Sequence, residues 1–136
     1  MDLKVLMDQH AELSVIVGKL NSLLDQRILT NRAAEVEECI SRLSDELTAH
    51  LATEDKYLYP ILMRCDDSEI VETAKNFSTN MGGLKDTFIA YREKWKVEEI
   101  ASDPTNFILE TIELISFLTE RVSKEEKILF PLAGQL

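Results

Sequence analysis

The chain echoes itself at a spacing of 71 residues, and that echo narrows the folds open to it more than any other feature. The segment HLATEDKYLYP (50–60) aligns with RVSKEEKILFP (121–131), so that Glu54 falls on Glu125, Asp55 on Glu126, Leu58 on Leu129, Tyr59 on Phe130 and Pro60 on Pro131. The same spacing carries Leu13 onto Leu84, Val17 onto Phe88, Leu20 onto Tyr91 and Leu24 onto Trp95. Two matching halves imply two matching hairpins about a pseudo-twofold axis. Two polar positions break the match: His10 falls on Met81 and His50 on Arg121, so both histidines of the protein lie in the first half.

Each half reads as helix. Glycine and proline are scarce, four and three in the chain, and apolar residues recur at alternating steps of three and four. The periodicity predicts helices over about 2–27, 32–57, 67–98 and 104–128. Their core stripes are Leu3, Leu6, His10, Leu13, Val17, Leu20 and Leu24; Val36, Ile40, Leu43, Leu47, His50, Glu54 and Tyr57; Ala74, Phe77, Met81, Leu84, Phe88, Tyr91 and Trp95; and Phe107, Thr111, Leu114, Leu118, Arg121, Glu125 and Ile128. Asp66 or Asp67 is placed to cap the third helix, and Asp103 before Pro104 to start the fourth. Pro60 and Pro131 are expected to end the second and fourth. Short links near 28–31 and 99–103 call for antiparallel neighbours, and 58–66 for a crossover between the hairpins. The expected fold is all-α, an up-down-up-down antiparallel four-helix bundle formed as a single domain over 1–136. Gly82 and Gly83 conflict with it locally, at about 1 kcal/mol each relative to alanine, and suggest close packing or a kink beside Met81.

Composition restricts the partners. A net charge of −10 and a pI near 4.6 give no basic face for phosphates, so neither nucleic acid nor an anionic membrane is expected as a partner. Acids interrupt the apolar positions of MDLKVLMDQHAEL, which therefore reads as neither signal peptide nor membrane span. The expected location is cytoplasmic, with Cys39 and Cys65 as reduced, incidental thiols.

The polar residues on the stripes carry the chemistry. His10 and His50 are nearly equidistant from the first loop, roughly 26 Å at 1.5 Å per residue, and should face each other. Met81 and Arg121 take the corresponding level of the second hairpin. Glu54 and Glu125, four residues beyond His50 and Arg121, lie one turn along the same stripe. Ionised carboxylates in a core need a cation. Imidazole and carboxylate ligands on facing helices are how bundles hold iron, manganese or zinc. Arginine serves as well, because it stays charged when buried. Two accounts therefore remain open at this point: a metal site, or a buried Arg121–Glu54–Glu125 network without metal.

A histidine on the first helix, H-x-x-x-E-D-x-x-L-Y-P closing the second and K-E-E-x-x-L-F-P closing the fourth resemble the hemerythrin-like, or HHE cation-binding, domain over essentially the whole chain. The resemblance implies di-iron ligands: one histidine on each helix and bridging glutamates on the second and fourth. His10, His50, Glu54 and Glu125 match that pattern, whereas Met81 and Arg121 stand where two histidines belong. The metal ligands implied are therefore His10, His50, Glu54 and Glu125, holding at most one ion, with iron first and zinc or manganese as alternatives. Oxygen carriage by a di-iron pair is not expected. The alternative is a metal-free bundle with a structural, sensing or partner-binding role. An oxidase is disfavoured, since the Glu-x-x-His pairs of such enzymes are replaced by Met7 and Leu47 before His10 and His50, and no enzymatic activity is expected.

Overall fold

The computed structural model describes residues 2–136, and every secondary-structure element among them is helical. Four long helices dominate: α1 (Lys4–Ser22), α3 (Ala33–Thr53), α5 (Ser68–Lys94) and α7 (Pro104–Lys124). Four short ones complete the chain: α2 (Gln26–Asn31), α4 (Tyr59–Met63), α6 (Val97–Ser102) and α8 (Phe130–Gly134). Helix α3 packs against α1 and α5, and α7 touches both α1 and α5.

The long predicted first and third helices are each interrupted near one end. Helix α1 stops at Ser22, and Asp25 starts α2 by accepting from the backbone of Arg27 and Ile28. Helix α5 begins where Asp67 accepts from Glu69 and Ile70, and stops at Lys94 ahead of α6. The breaks let α2 and α6 fold over the end of the core, where Leu29 and Ile100 are fully buried. Asp103 caps α7 through the Asn106 amide, with Pro104 in the first turn as expected.

The two prolines do not end their helices. Each lies just inside a continuing helix, preceded by a π turn: Glu54–Leu58 before α4, and Glu125–Leu129 before α8. Proline has no amide proton and its ring collides with the carbonyl four residues back. A π turn uses the carbonyl five residues back: Tyr59 N–H bonds to Glu54 O and Phe130 N–H to Glu125 O. The widened turn shifts the register by one residue. Tyr57 and Ile128, expected in the core, are therefore exposed, and Leu58 and Leu129 are buried in their place. Gly82 and Gly83 produce no break in α5, and a Cβ at either would meet no atom within 4 Å. Close packing is thus not the reason for them.

The core has two apolar compartments. One holds Leu13, Leu47, Met81 and Leu118 and extends to α2 and α6; the other holds Leu6, Leu58, Phe77, Leu129 and Phe130. His10 lies between Leu6 and Leu13, His50 between Leu47 and Leu58, and Glu125 between Leu118 and Leu129. A polar layer therefore separates the two compartments.

Candidate metal centre

His10, His50, Glu54 and Glu125 are all buried, the last three completely. The two imidazoles face each other as the level count requires, with ring centroids 4.5 Å apart. His10 also stacks on Phe130 at 5.1 Å. Three atoms converge: His10 Nε2 and His50 Nε2 are 3.1 Å apart, and Glu125 Oε1 lies 3.0 Å from the first and 3.2 Å from the second. Glu54 Oε1 approaches His50 Nε2 at 3.2 Å. The compact ligand group is His10, His50 and Glu125, with Glu54 reaching it through His50.

The outer nitrogens decide what the inner ones can do. His10 Nδ1 lies 3.0 Å from a Glu126 carboxylate oxygen, which only accepts, so this nitrogen carries the proton. For His50 the partner is Gln9 Oε1 at 2.9 Å. Gln9 is held in that orientation because its amide nitrogen donates to Thr53 Oγ1, whose own hydroxyl donates to Ala49 O. With both Nδ1 atoms protonated, a neutral imidazole presents a bare lone pair at Nε2. Two such lone pairs and a carboxylate oxygen within 3.2 Å repel one another unless a cation lies among them. That cation is a proton on one ring or a metal ion. Donors about 2.1 Å from one ion are separated by roughly 3.0–3.4 Å at bond angles near 90–110°, which is the spacing found. Outer partners of this kind accompany nearly all metal-bound histidines.

The carboxyl groups divide the labour. Burial raises Glu54 far above the ordinary carboxylate range, and a hydrogen bond shared with Glu125, with the charges of Glu125 and Asp55, adds to it. Burial also acts on Glu125, but hydrogen bonds from His10, His50 and the protonated Glu54 outweigh it and hold that carboxyl below its ordinary value. Without metal, Glu54 keeps a proton and Glu125 is ionised. Apart from the proton that Glu54 shares with Glu125, both oxygens of Glu54 and Oε2 of Glu125 are buried with no hydrogen-bond donor. Orphaned acceptors beside converged imidazoles are the state that a cation relieves, so the donor set fits a metal ion.

Met81 and Arg121 differ from each other. Met81 is buried in the apolar compartment that holds Leu13, Leu47 and Leu118. Arg121 forms no ion pair with Glu54 or Glu125 among the described residues, and the expected Arg121–carboxylate network is absent. Its guanidinium lies 5.2 Å from the centre of the half-exposed Phe117 ring, four residues back on the same face. The side chain is half-buried, with Nε itself buried and unpaired, and it packs on that ring without reaching either carboxylate.

Sequence periodicity missed Gln9, Thr53 and Glu126. Gln9 and Glu126 each adjoin a ligand in sequence, on a helix face that stripe counting passes over. One signal was present: Glu126 is the repeat counterpart of Asp55, an acid following the ligand glutamate in both halves.

A family model, the hemerythrin HHE cation binding domain, matches residues 1–133. No curated protein and no solved structure gives a significant match. With that match spanning nearly the whole chain and a buried His–His–Glu group at its centre, the chain belongs to the hemerythrin HHE cation-binding family.

Proposed function

We propose that this chain is a metal-binding HHE domain with a degenerate centre. It holds at most one ion per chain at His10, His50 and Glu125, with Glu54 as the fourth ligand. The framework is an up-down-up-down four-helix bundle, cytoplasmic, without enzymatic activity and without a nucleic-acid or membrane partner. Among the described residues no helix is long and apolar enough to cross a membrane. The observation that carries the reading is the convergence of two outward-anchored imidazoles on one carboxylate oxygen. Iron is the first choice of ion, and zinc and manganese accept the same donors.

The residues present would act as follows. Glu126 and Gln9 fix the ring tautomers, so that both Nε2 lone pairs face inward. The apolar compartments on either side keep bulk water from the ligands. Glu54, which holds a proton in the metal-free protein, would release it on taking up an ion. A bound ion would supply a Lewis acid or, as iron, a one-electron couple. The second half offers a thioether at Met81 and no imidazole. It cannot complete a histidine-ligated pair, which is why the protein does not carry oxygen as a di-iron protein.

The metal-free alternative rested on Arg121 neutralising the glutamates, and that contact is not formed. Protein purified without added metal, then titrated with ferrous iron under argon and analysed for metal per chain, tests the proposal. One ion per chain is expected in wild type and none in His10→Ala with His50→Ala. Two irons per chain would overturn the single-ion reading, and no binding of iron, zinc or manganese would overturn the metal reading altogether.

A further inference from the structure

Each imidazole of the centre has a partner on its far side, and the carboxylates have none. His10 is anchored by Glu126 and His50 by Gln9, while three carboxylate oxygens, both of Glu54 and Oε2 of Glu125, are buried with no donor except the proton that Glu54 shares with Glu125, which an ion would displace. A ligating carboxylate ordinarily receives a hydrogen bond on its free oxygen, just as a ligating imidazole gives one. The missing element is a donor.

Three buried side-chain donors among the described residues have no partner: Trp95 Nε1, Arg121 Nε and the Tyr59 hydroxyl. Trp95 lies in the other compartment with its ring against Phe107, and Arg121 is turned onto Phe117. Tyr59 remains. It follows Glu54 by one π turn, and its N–H is bonded to the Glu54 carbonyl. Its ring is buried in the same apolar compartment as Phe130. The repeat makes Tyr59 the counterpart of Phe130, the ring that stacks on His10. The two positions differ by one hydroxyl. Phenylalanine serves at 130 for packing alone, and at 59 it would avoid burying an unpaired hydroxyl.

We propose that Tyr59 is a positioning residue of the centre: its hydroxyl donates to the Glu54 carboxylate when that group faces an ion, and so fixes which oxygen points inward. The inference rests on the metal reading. Cobalt(II) serves as the probe, its d–d absorption being followed during titration of wild type, Tyr59→Phe, Glu54→Gln and the double variant. His10, His50 and Glu125 keep cobalt bound in the Glu54→Gln background. Tyr59→Phe is expected to weaken cobalt binding about tenfold, the low end of what loss of an outer-shell partner costs. The same change made in Glu54→Gln should alter affinity less than about twofold, because no carboxylate remains to be held. In chelator, Tyr59→Phe should melt no lower than wild type.

Equal cobalt affinity in wild type and Tyr59→Phe would overturn this inference and leave the metal reading standing. An undiminished tenfold loss in the Glu54→Gln background would also overturn it, since Tyr59 would then act independently of Glu54. A visible phenolate-to-iron band in the ferric protein, absent from Tyr59→Phe, would make Tyr59 a ligand and not a positioning group. Absence of cobalt binding in wild type would reject the metal reading, and this inference with it.

Discussion

Arg121 shows how far a residue's role can depart from its place in a repeat. The spacing assigns it to the position of His50, yet the guanidinium lies over Phe117 and leaves both glutamates without it. Removing it should therefore cost little. We expect Arg121→Ala to lower stability by about 0.5–1 kcal/mol, the range of an accessible cation–π contact, measured by denaturant unfolding at neutral pH in chelator. A loss of several kcal/mol would restore the buried network. Gln9 is the reverse case: half-buried and off the core stripe, it orients the His50 imidazole. Gln9→Leu removes the acceptor that fixes His50 and should weaken metal binding about tenfold or more, read by competition with a chromophoric chelator. His10, His50, Glu54 and Glu125 were legible in the sequence because a polar residue on an apolar stripe stands out. Gln9, Thr53 and Glu126 were not, because polar residues off the stripe look like ordinary surface.

The elements were legible where one period ran unbroken and obscure where it changed. The stripes of α1, α3, α5 and α7 follow helical spacing, and the sequence offered Asp66 or Asp67 and Asp103 as caps, of which Asp67 and Asp103 are used. The π turns were not. A proline in a helical pattern signals a helix end, and nothing local to Pro60 or Pro131 indicates that the helix widens and continues. Tyr57 and Ile128 were assigned inward for that reason. Both π turns begin at a buried glutamate, Glu54 or Glu125, where an extra residue per turn sets the carboxylate and the following aromatic on one buried side. The glycines of α5 lack any such use. They are helical and unobstructed, with no positive φ. Gly82→Ala and Gly83→Ala should therefore each raise stability by roughly 0.5–1 kcal/mol, seen as a higher denaturant midpoint with an unchanged slope. A loss of stability in either would show that α5 must flex beside Met81.

The whole molecule is built around a layer that needs positive charge, in a chain whose net charge is −10. In the metal-free protein bound protons compensate the layer, and the one held by Glu54 gives stability a direction with pH. Glu54 has an ordinary value of 4.5, raised in the fold. Above that ordinary value the unfolded chain has released a proton that the folded chain still holds, so this group's contribution falls as pH rises. Glu125 is shifted the other way, to about 2. Its contribution is complete above 4.5 and is lost as pH drops toward the lowered value. The two together place the optimum of the metal-free protein in mild acid, with decline on the alkaline side. On the proposed reading a metal ion would take the place of the Glu54 proton, so its binding should tighten as pH rises and offset that decline. The expected outcome is a denaturant midpoint in chelator that falls between about pH 5 and pH 8, and one that stays level or rises over the same range with saturating zinc. Self-repulsion of the acidic surface also grows with pH, so Glu54→Gln provides the control. It keeps the shape of the protonated carboxyl and cannot ionise, and its midpoint in chelator should fall much less than that of wild type over the same interval. Identical slopes in wild type and Glu54→Gln would show that surface repulsion, and not the buried layer, sets the pH response.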